Sequence, residues 1–207
     1  PTGDKIWSTP AIDSDRLYIG SFDKKLYALD ATDGSKKWEF ETEGAIVSTP
    51  LVYNSVVYIG SFDRHLYAVK ATDGSLKWRL EVEAGNWFWA KPVAYNNTIY
   101  AGCLDSKVYA LNAESGKELV DPIDLESPIA SSPVLVNGKV IIASENGRVY
   151  SLDTSSNQVK QLANIEATIH TPLCASNEVI YIHSEDQYLY ALNTQTGVRL
   201  WSLLLGK

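Results

Sequence analysis

Short apolar runs alternate with polar clusters along this chain, and nowhere do apolar residues recur at helical spacing, so the pattern predicts strands. The first unit shows how. Thr9 to Ile12 reads as a strand and Asp13-Ser14-Asp15 as a turn; Leu17 to Ser21 is a second strand, closed by a turn at Asp23-Lys24. Leu26 to Leu29 is a third strand, and the Asp33-Gly34 turn leads into a fourth around Trp38 to Phe40. Strands this short, rich in Tyr, Ile, Val and Leu and separated by Asp, Asn and Gly, are the mark of an all-β meander. In the second strand Tyr18 and Gly20 point one way and Leu17 and Ile19 the other, so both faces are apolar. A sheet with one wet face alternates apolar and polar; this one has to be covered on both sides.

The unit repeats. Pro10, Pro50, Pro92, Pro133 and Pro172 are spaced by 40, 42, 41 and 39 residues. Tyr27, Tyr67, Tyr109, Tyr150 and Tyr190 are spaced by 40, 42, 41 and 40, and Tyr18, Tyr58, Tyr100, Ile141 and Tyr181 keep step. A period of about 41 residues matches one four-stranded blade, and a blade packed between two neighbours is buried on both faces. The expected fold is all-β: a β-propeller of five four-stranded antiparallel blades in one domain, residues 1–207. The repeats fall at about 8–47, 48–89, 90–130, 131–169 and 170–207. The five form either a complete ring or part of a larger propeller. Residues 1–7 align with the linker Thr42 to Val47, which suggests an excised segment.

A further signature links the blades. Copy one reads Ala28-Leu29-Asp30-Ala31-Thr32-Asp33-Gly34-Ser35-Lys36-Lys37-Trp38; copy two runs from Ala68 through Gly74 to Trp78, with Lys70 in place of the Asp. Copy five runs from Ala191-Leu192-Asn193 through Gly197 to Trp201. This resembles the tryptophan-docking motif of the pyrroloquinoline-quinone (PQQ)-like repeat family, Ala-x-Asp-x-x-x-Gly-x-x-x-Trp. The resemblance implies that Trp38, Trp78 and Trp201, with Gly34, Gly74 and Gly197, lock each blade to its neighbour. Val120 and Gln161 fill the tryptophan slot in copies three and four, and Asn157 replaces the glycine, so the lock is expected to be weaker there.

The family includes quinoprotein dehydrogenases and a periplasmic lipoprotein that assists assembly of outer-membrane β-barrels, both usually of about eight blades. The nearer likeness is to the lipoprotein type. It implies a non-catalytic, extracytoplasmic scaffold with a protein or peptide partner and no cofactor. The quinoproteins hold their cofactor with a vicinal Cys-Cys disulfide and bound Ca²⁺, and this chain has no consecutive cysteines. Its two, Cys103 and Cys174, lie two repeats apart and read as small buried side chains in preference to a disulfide. Two alternatives stay open: a ligand-sensing domain of a larger receptor or kinase, and a quinoprotein fragment.

Charge narrows the partners. With 25 acidic and 18 basic residues the net charge is −7, which argues against nucleic acid, whose binding needs clustered basic charge. No apolar stretch approaches the ~18 residues of a bilayer span. The chain begins at Pro1 and holds no Met, so a lost lipid anchor, leader or flanking domains are expected.

Catalytic motifs do not survive the repeat register. Ser21-Phe22-Asp23-Lys24 matches a Ser-x-x-Lys pattern, yet Ser61-Phe62-Asp63-Arg64 and Cys103-Leu104-Asp105-Ser106 show it to be the turn after each second strand. Asp23, Asp63, Asp105, Asn146 and Asp186 recur there and read as turn formers, with a ring around a cation as the alternative; no metal site is assigned. His65 reads as solvated and His183 as packed.

One stretch breaks the pattern: Asn86-Trp87-Phe88-Trp89-Ala90-Lys91-Pro92 puts three aromatics and a lysine where other copies have small residues. Trp7 takes the slot of Trp89 in copy one, and His170 lies at the same rim in copy five. Linkers of this kind rim one end of a propeller channel, so Trp7, Trp87, Phe88, Trp89, Lys91 and His170 are the expected partner-binding residues. The alternative is that these rings seal blade two against blade three.

Overall fold

The computed structural model describes residues 2–80 and 85–206. Blade one is built from β1 (Ala11–Asp13), β2 (Arg16–Gly20), β3 (Lys25–Asp30) and β4 (Lys36–Glu41). Blade two has β5 (Leu51–Tyr53), β6 (Val56–Gly60), β7 (Leu66–Lys70) and β8 (Leu76–Arg79). Blade three has β9 (Val93–Tyr95), β10 (Thr98–Gly102), β11 (Lys107–Asn112) and β12 (Ile123–Asp124). Blade four has β13 (Val134–Val136), β14 (Lys139–Ala143), β15 (Arg148–Asp153) and β16 (Val159–Asn164), and blade five β17 (Cys174–Ser176), β18 (Val179–His183), β19 (Tyr188–Asn193) and β20 (Arg199–Leu204). Each blade is one antiparallel sheet with its strands in chain order. The fold is the all-β, five-bladed arrangement of four-stranded units that the repeat predicts.

Turn chemistry sets the strand boundaries. Between the first and second strands, Asn54-Ser55, Asn96-Asn97 and Asn137-Gly138 all have positive φ, the left-handed pair that matches the twist of a two-residue hairpin. At the next turn the aspartate accepts the N–H two residues on, as Asp23 does from Lys25 and Asp105 from Lys107, both at 3.1 Å. The positive φ there falls on the following residue, Lys24, Arg64, Ser106, Gly147 or Gln187, and not on the acid.

Four apolar clusters hold the blades together, one at each successive junction. Tyr18, Leu26 and Ala28 of blade one meet Val57, Ile59 and Val69 of blade two; Tyr58, Leu66 and Trp78 meet Ile99, Tyr109 and Leu111. Tyr100 and Val108 meet Val140 and Leu152, and Ile141 and Val149 meet Ile180 and Tyr190. Among the described residues no such cluster and no hydrogen bond joins blade five to blade one, so the blades form an open arc. The first strands line the inner wall and the fourth strands the outside, where every residue of β20 is exposed.

At the first two junctions an indole fastens one blade to the next. Trp38 Nε1 donates to the Ala71 carbonyl at 3.0 Å and Trp78 Nε1 to that of Ala113 at 2.9 Å. Each ring lies on the left-handed glycine of the next blade: a Cβ at Gly74 would stand 2.8 Å from Trp38, and one at Gly116 2.6 Å from Trp78. Glycine is needed there both for its positive φ and for the close approach.

The remaining members of the motif differ. Trp201 lies tilted against Tyr181 at 5.9 Å but is 43% exposed, and Gly34 has nothing within 4 Å of where its Cβ would stand. Among the described residues, therefore, no other blade covers Trp201 or Gly34, and neither takes part in a junction there. Gly197 lies against the backbone of Leu162 and meets no indole. In blade three the fourth strand shrinks to two residues, following Pro122, which has no N–H to give the ladder. In blade four the bulge that precedes Trp38 and Trp78 moves along the strand: Lys160 and not Gln161 lies opposite Ser151. Asn157 takes the glycine slot with φ 56.

Three further expectations change. Cys103 is fully buried and burial pushes its thiol up to about 12, but Cys174 is exposed on the inner strand of blade five. His65 is only partly solvated: the ring is half-buried, with its Nδ1 out of contact with solvent and 3.3 Å from Asp63 Oδ1. His183 is exposed and not packed. It fills the slot of Gly20, Gly60 and Gly102, which are roofed by Ile46, Phe88 and Ile129 of the following linker, and no described residue roofs it.

Removing a buried indole costs about 3–5 kcal/mol. Trp78→Ala is expected to lower the melting temperature by at least about 6 °C, with Trp38→Ala somewhat milder and Gln161→Ala near zero. Equal small effects in thermal denaturation would show that the indoles do not fasten the blades.

The tyrosine rungs give a pH dependence. Tyr27, Tyr67, Tyr109 and Tyr190 donate to Asp23, Asp63, Asp105 and Asp186 at 2.6 to 2.7 Å. Burial first, then the bonded carboxylate, raises all four phenols, Tyr27 and Tyr190 to about 12. Unfolded tyrosines release their proton near pH ~10 while these keep theirs, so stability is intact below that pH and falls above it. Melting temperatures from neutral pH to pH ~12 should show the fall, and the Tyr67→Phe, Tyr109→Phe double variant a shallower one. Identical slopes for the two proteins would contradict this.

Candidate functional site: the channel mouth

In every blade the turn after the second strand clasps the linker that enters the blade. The N–H groups of Phe22, Phe62, Leu104, Glu145 and Glu185 donate to the carbonyls of Lys5, Ala45, Trp87, Pro128 and Thr168 at 2.9 to 3.0 Å. Linker and turn therefore share one face of the arc. The linker contributes Trp7, Val47, Trp89, Ala130 and His170, and the turn Phe22, Phe62, Leu104, Glu145 and Glu185.

The placing of His170 corrects the proline register. Thr171 Oγ1 donates to the His183 carbonyl at 2.7 Å, as Ser48 Oγ donates to the Gly60 carbonyl at 2.9 Å, twelve residues on in both cases. Thr171 thus holds the slot of Ser48, and His170 that of Trp7 and Trp89. Pro172 comes one place early and Leu173 fills the proline slot. The sequence carried the signal: the last proline spacing is 39 where the last tyrosine spacing is 40.

Blades one to three make an aromatic shelf. Trp7 meets Phe22 edge-on at 4.8 Å and Trp89 at 6.4 Å. Phe22 meets Phe62 at 6.1 Å, and Phe62 stacks on Trp87 at 4.2 Å and Trp89 at 5.6 Å. Trp7 is 62% exposed and Trp87 39%, while the others are half-buried. Phe88 departs from its expected role. It turns inward, fully buried against Tyr109 and over Gly60, because the middle of three consecutive residues faces away from its neighbours.

Blades four and five replace the shelf with charge. His170 Nδ1 lies 3.4 Å from Glu145 Oε1 and Nε2 3.2 Å from Glu185 Oε1, so both ring nitrogens face carboxylates. Lys91 sits deeper than the mouth. It lines a cavity of about 470 Å³ with Thr9, Thr49, Ser132 and Pro172, each two residues before the start of its blade's first strand. Its N–H donates to Ser132 Oγ at 3.0 Å, and among the described residues no carboxylate pairs with its ammonium.

Sequence reasoning missed Phe22, Phe62, Glu145 and Glu185. Their signal was the residue following the turn serine or cysteine, which runs Phe, Phe, Leu, Glu, Glu through the five copies. The structure does not gather the turn acids around a cation. Asp23, Asp63, Asp105 and Asp186 are each taken up by a tyrosine hydroxyl and by neighbouring backbone N–H groups. A PQQ site of the quinoprotein kind does not fit these residues, since Cys103 is buried in blade three and Cys174 exposed in blade five.

The arc has relatives. The family model described as outer membrane protein assembly factor BamB matches residues 1–203. The crystal structure of BamB from Moraxella catarrhalis is similar with a TM-score of 0.82 and 23% identity, over 97% of this chain and 62% of that one. The computationally designed Ika8 protein is similar with a TM-score of 0.82 and 16% identity, over 95% of this chain and 61% of that one. The chain thus spans about three-fifths of the length of either. No curated protein matches it. With blades, docking tryptophans and nearly the whole length in register, the chain belongs to the PQQ-like repeat family described as outer membrane protein assembly factor BamB.

Proposed function

We propose that this chain is a non-catalytic, extracytoplasmic scaffold that binds a protein or peptide partner at the channel mouth. One observation carries the reading: five aromatic side chains from three blades gather on one face, and Trp7 and Trp87 stay exposed. An exposed apolar patch of this kind disfavours the free protein in water and favours a partner that covers it. In this reading Trp7, Trp87, Trp89, Phe22 and Phe62 form the platform, and His170 marks its polar edge. Lys91, the charge within the channel, takes a carboxylate from the partner. The family description, which names an assembly factor, supports a scaffold over an enzyme.

Trp87→Ala with Lys91→Ala should leave the melting temperature within a few degrees of the parent, because neither side chain is core. It should also weaken a partner isolated on the parent chain at least tenfold, or ~1.4 kcal/mol. An unfolded variant or unchanged affinity would overturn the assignment. Titration with PQQ, with and without Ca²⁺, should show neither stoichiometric binding nor dye-linked oxidation of alcohols or sugars, and turnover in that assay would return the chain to the enzymes.

A further inference from the structure

The channel cavity has a chemistry of its own. In three blades a pair of small hydroxyl residues precedes the first strand: Ser8-Thr9, Ser48-Thr49 and Ser131-Ser132. The first of each pair is buried and used by the fold. Ser8 Oγ donates to the Ser48 carbonyl at 3.0 Å, Ser48 Oγ to that of Gly60 at 2.9 Å and Ser131 Oγ to that of Thr171 at 2.7 Å. The second of each pair lines the cavity of about 470 Å³. Among the described residues no acceptor takes the hydroxyl hydrogen of Thr9, Thr49 or Ser132. Ser132 Oγ accepts the Lys91 N–H at 3.0 Å, which leaves its own hydrogen free to donate.

In blade three the pair is Ala90-Lys91, so an ammonium stands where the neighbouring blades have a hydroxyl. Among the described residues no acid lines the cavity and no carboxylate pairs with Lys91. Val134, Leu135 and Leu173 belong to the apolar part of the lining. Thr49, Lys91, Ser132, Val134 and Leu135 all come from blades two to four, each packed between two others. The cavity thus offers one cation and three hydroxyl hydrogens beside an aliphatic wall, with no anion of the chain to receive them. Its volume lies in the range of small-molecule pockets, about 300–1,000 Å³.

We infer that this cavity binds a small aliphatic carboxylate. Lys91 pairs with the carboxylate, the Thr49 and Ser132 hydroxyls donate to its oxygens, and the carbon chain lies on Val134, Leu135 and Leu173. Inorganic phosphate would meet the donors and leave the aliphatic wall bare. A free acid and the last residue of a peptide ending in leucine share this chemistry. The inference rests on the partner reading only in giving Lys91 a carboxylate, and it needs none of the aromatic rings.

Isothermal titration calorimetry of the parent chain with isocaproate should show one site. Isocaproamide, which lacks the charge, and inorganic phosphate, which lacks the carbon chain, should bind at least about tenfold more weakly. Lys91→Met should weaken isocaproate at least about tenfold with circular dichroism unchanged, and Lys91→Arg less. Leu135→Asp, at a side chain 37% exposed, puts a carboxylate in the cavity and should have the same effect, which keeps the test open where Lys91→Met fails to fold. Trp87→Ala should bind isocaproate as the parent does even where it loses the protein partner, so the two readings fail separately. A short peptide ending in leucine, with its carboxylate free or amidated, tells the sources apart. Binding of the free-carboxylate peptide tighter than that of isocaproate assigns the site to a chain end, and weaker binding assigns it to a free acid. Binding of neither carboxylate, equal binding of isocaproamide or phosphate, or unchanged affinity in the folded variants would overturn the inference.

Discussion

The structure depends on the packing of one blade's apolar face against the next, fastened at the first two junctions by an indole laid on the next blade's backbone. Each sheet is apolar on both faces and cannot stand alone in water, so its neighbours supply both its cover and its orientation. A tryptophan suits the junction because its flat ring covers much area while its one N–H finds a carbonyl. The same contact explains the glycine, which must be left-handed and must also admit the ring. Where the indole is lost, its geometry goes too: the bulge shifts in blade four and the fourth strand nearly disappears in blade three. At the junction of blades four and five a cavity of about 490 Å³ opens beside Tyr190, Leu192, Gly197 and Arg199, the same slots that receive an indole elsewhere.

Repetition then separates packing from surface. The tyrosine rung, the turn aspartate and the buried second and third strands recur because each junction needs them. The linker and the turn it meets are free to vary once their backbone bond is made. The departures at the channel mouth gather there, as aromatic rings on blades one to three and a histidine between two glutamates on blades four and five.

Much of this was legible in the sequence. The strands, their grouping in fours and the number of copies followed from period and turn chemistry, since both depend on residues close together along the chain. The rim was legible in part. Trp7, Trp87 and Trp89 stood out as departures from the repeat, but Phe22 and Phe62 looked like ordinary turn residues, and only the closing of linker onto turn brings the five rings together.

Local sequence determined what each blade is, because backbone hydrogen bonding, side-chain alternation and turn preference act over a few residues. The tertiary structure decided what depends on distant segments meeting. It turned Phe88 inward, moved His170 one slot and left His183 and Trp201 uncovered. Whether a side chain is core or surface depends on whether another blade stands over it, and the chain's own letters do not record that.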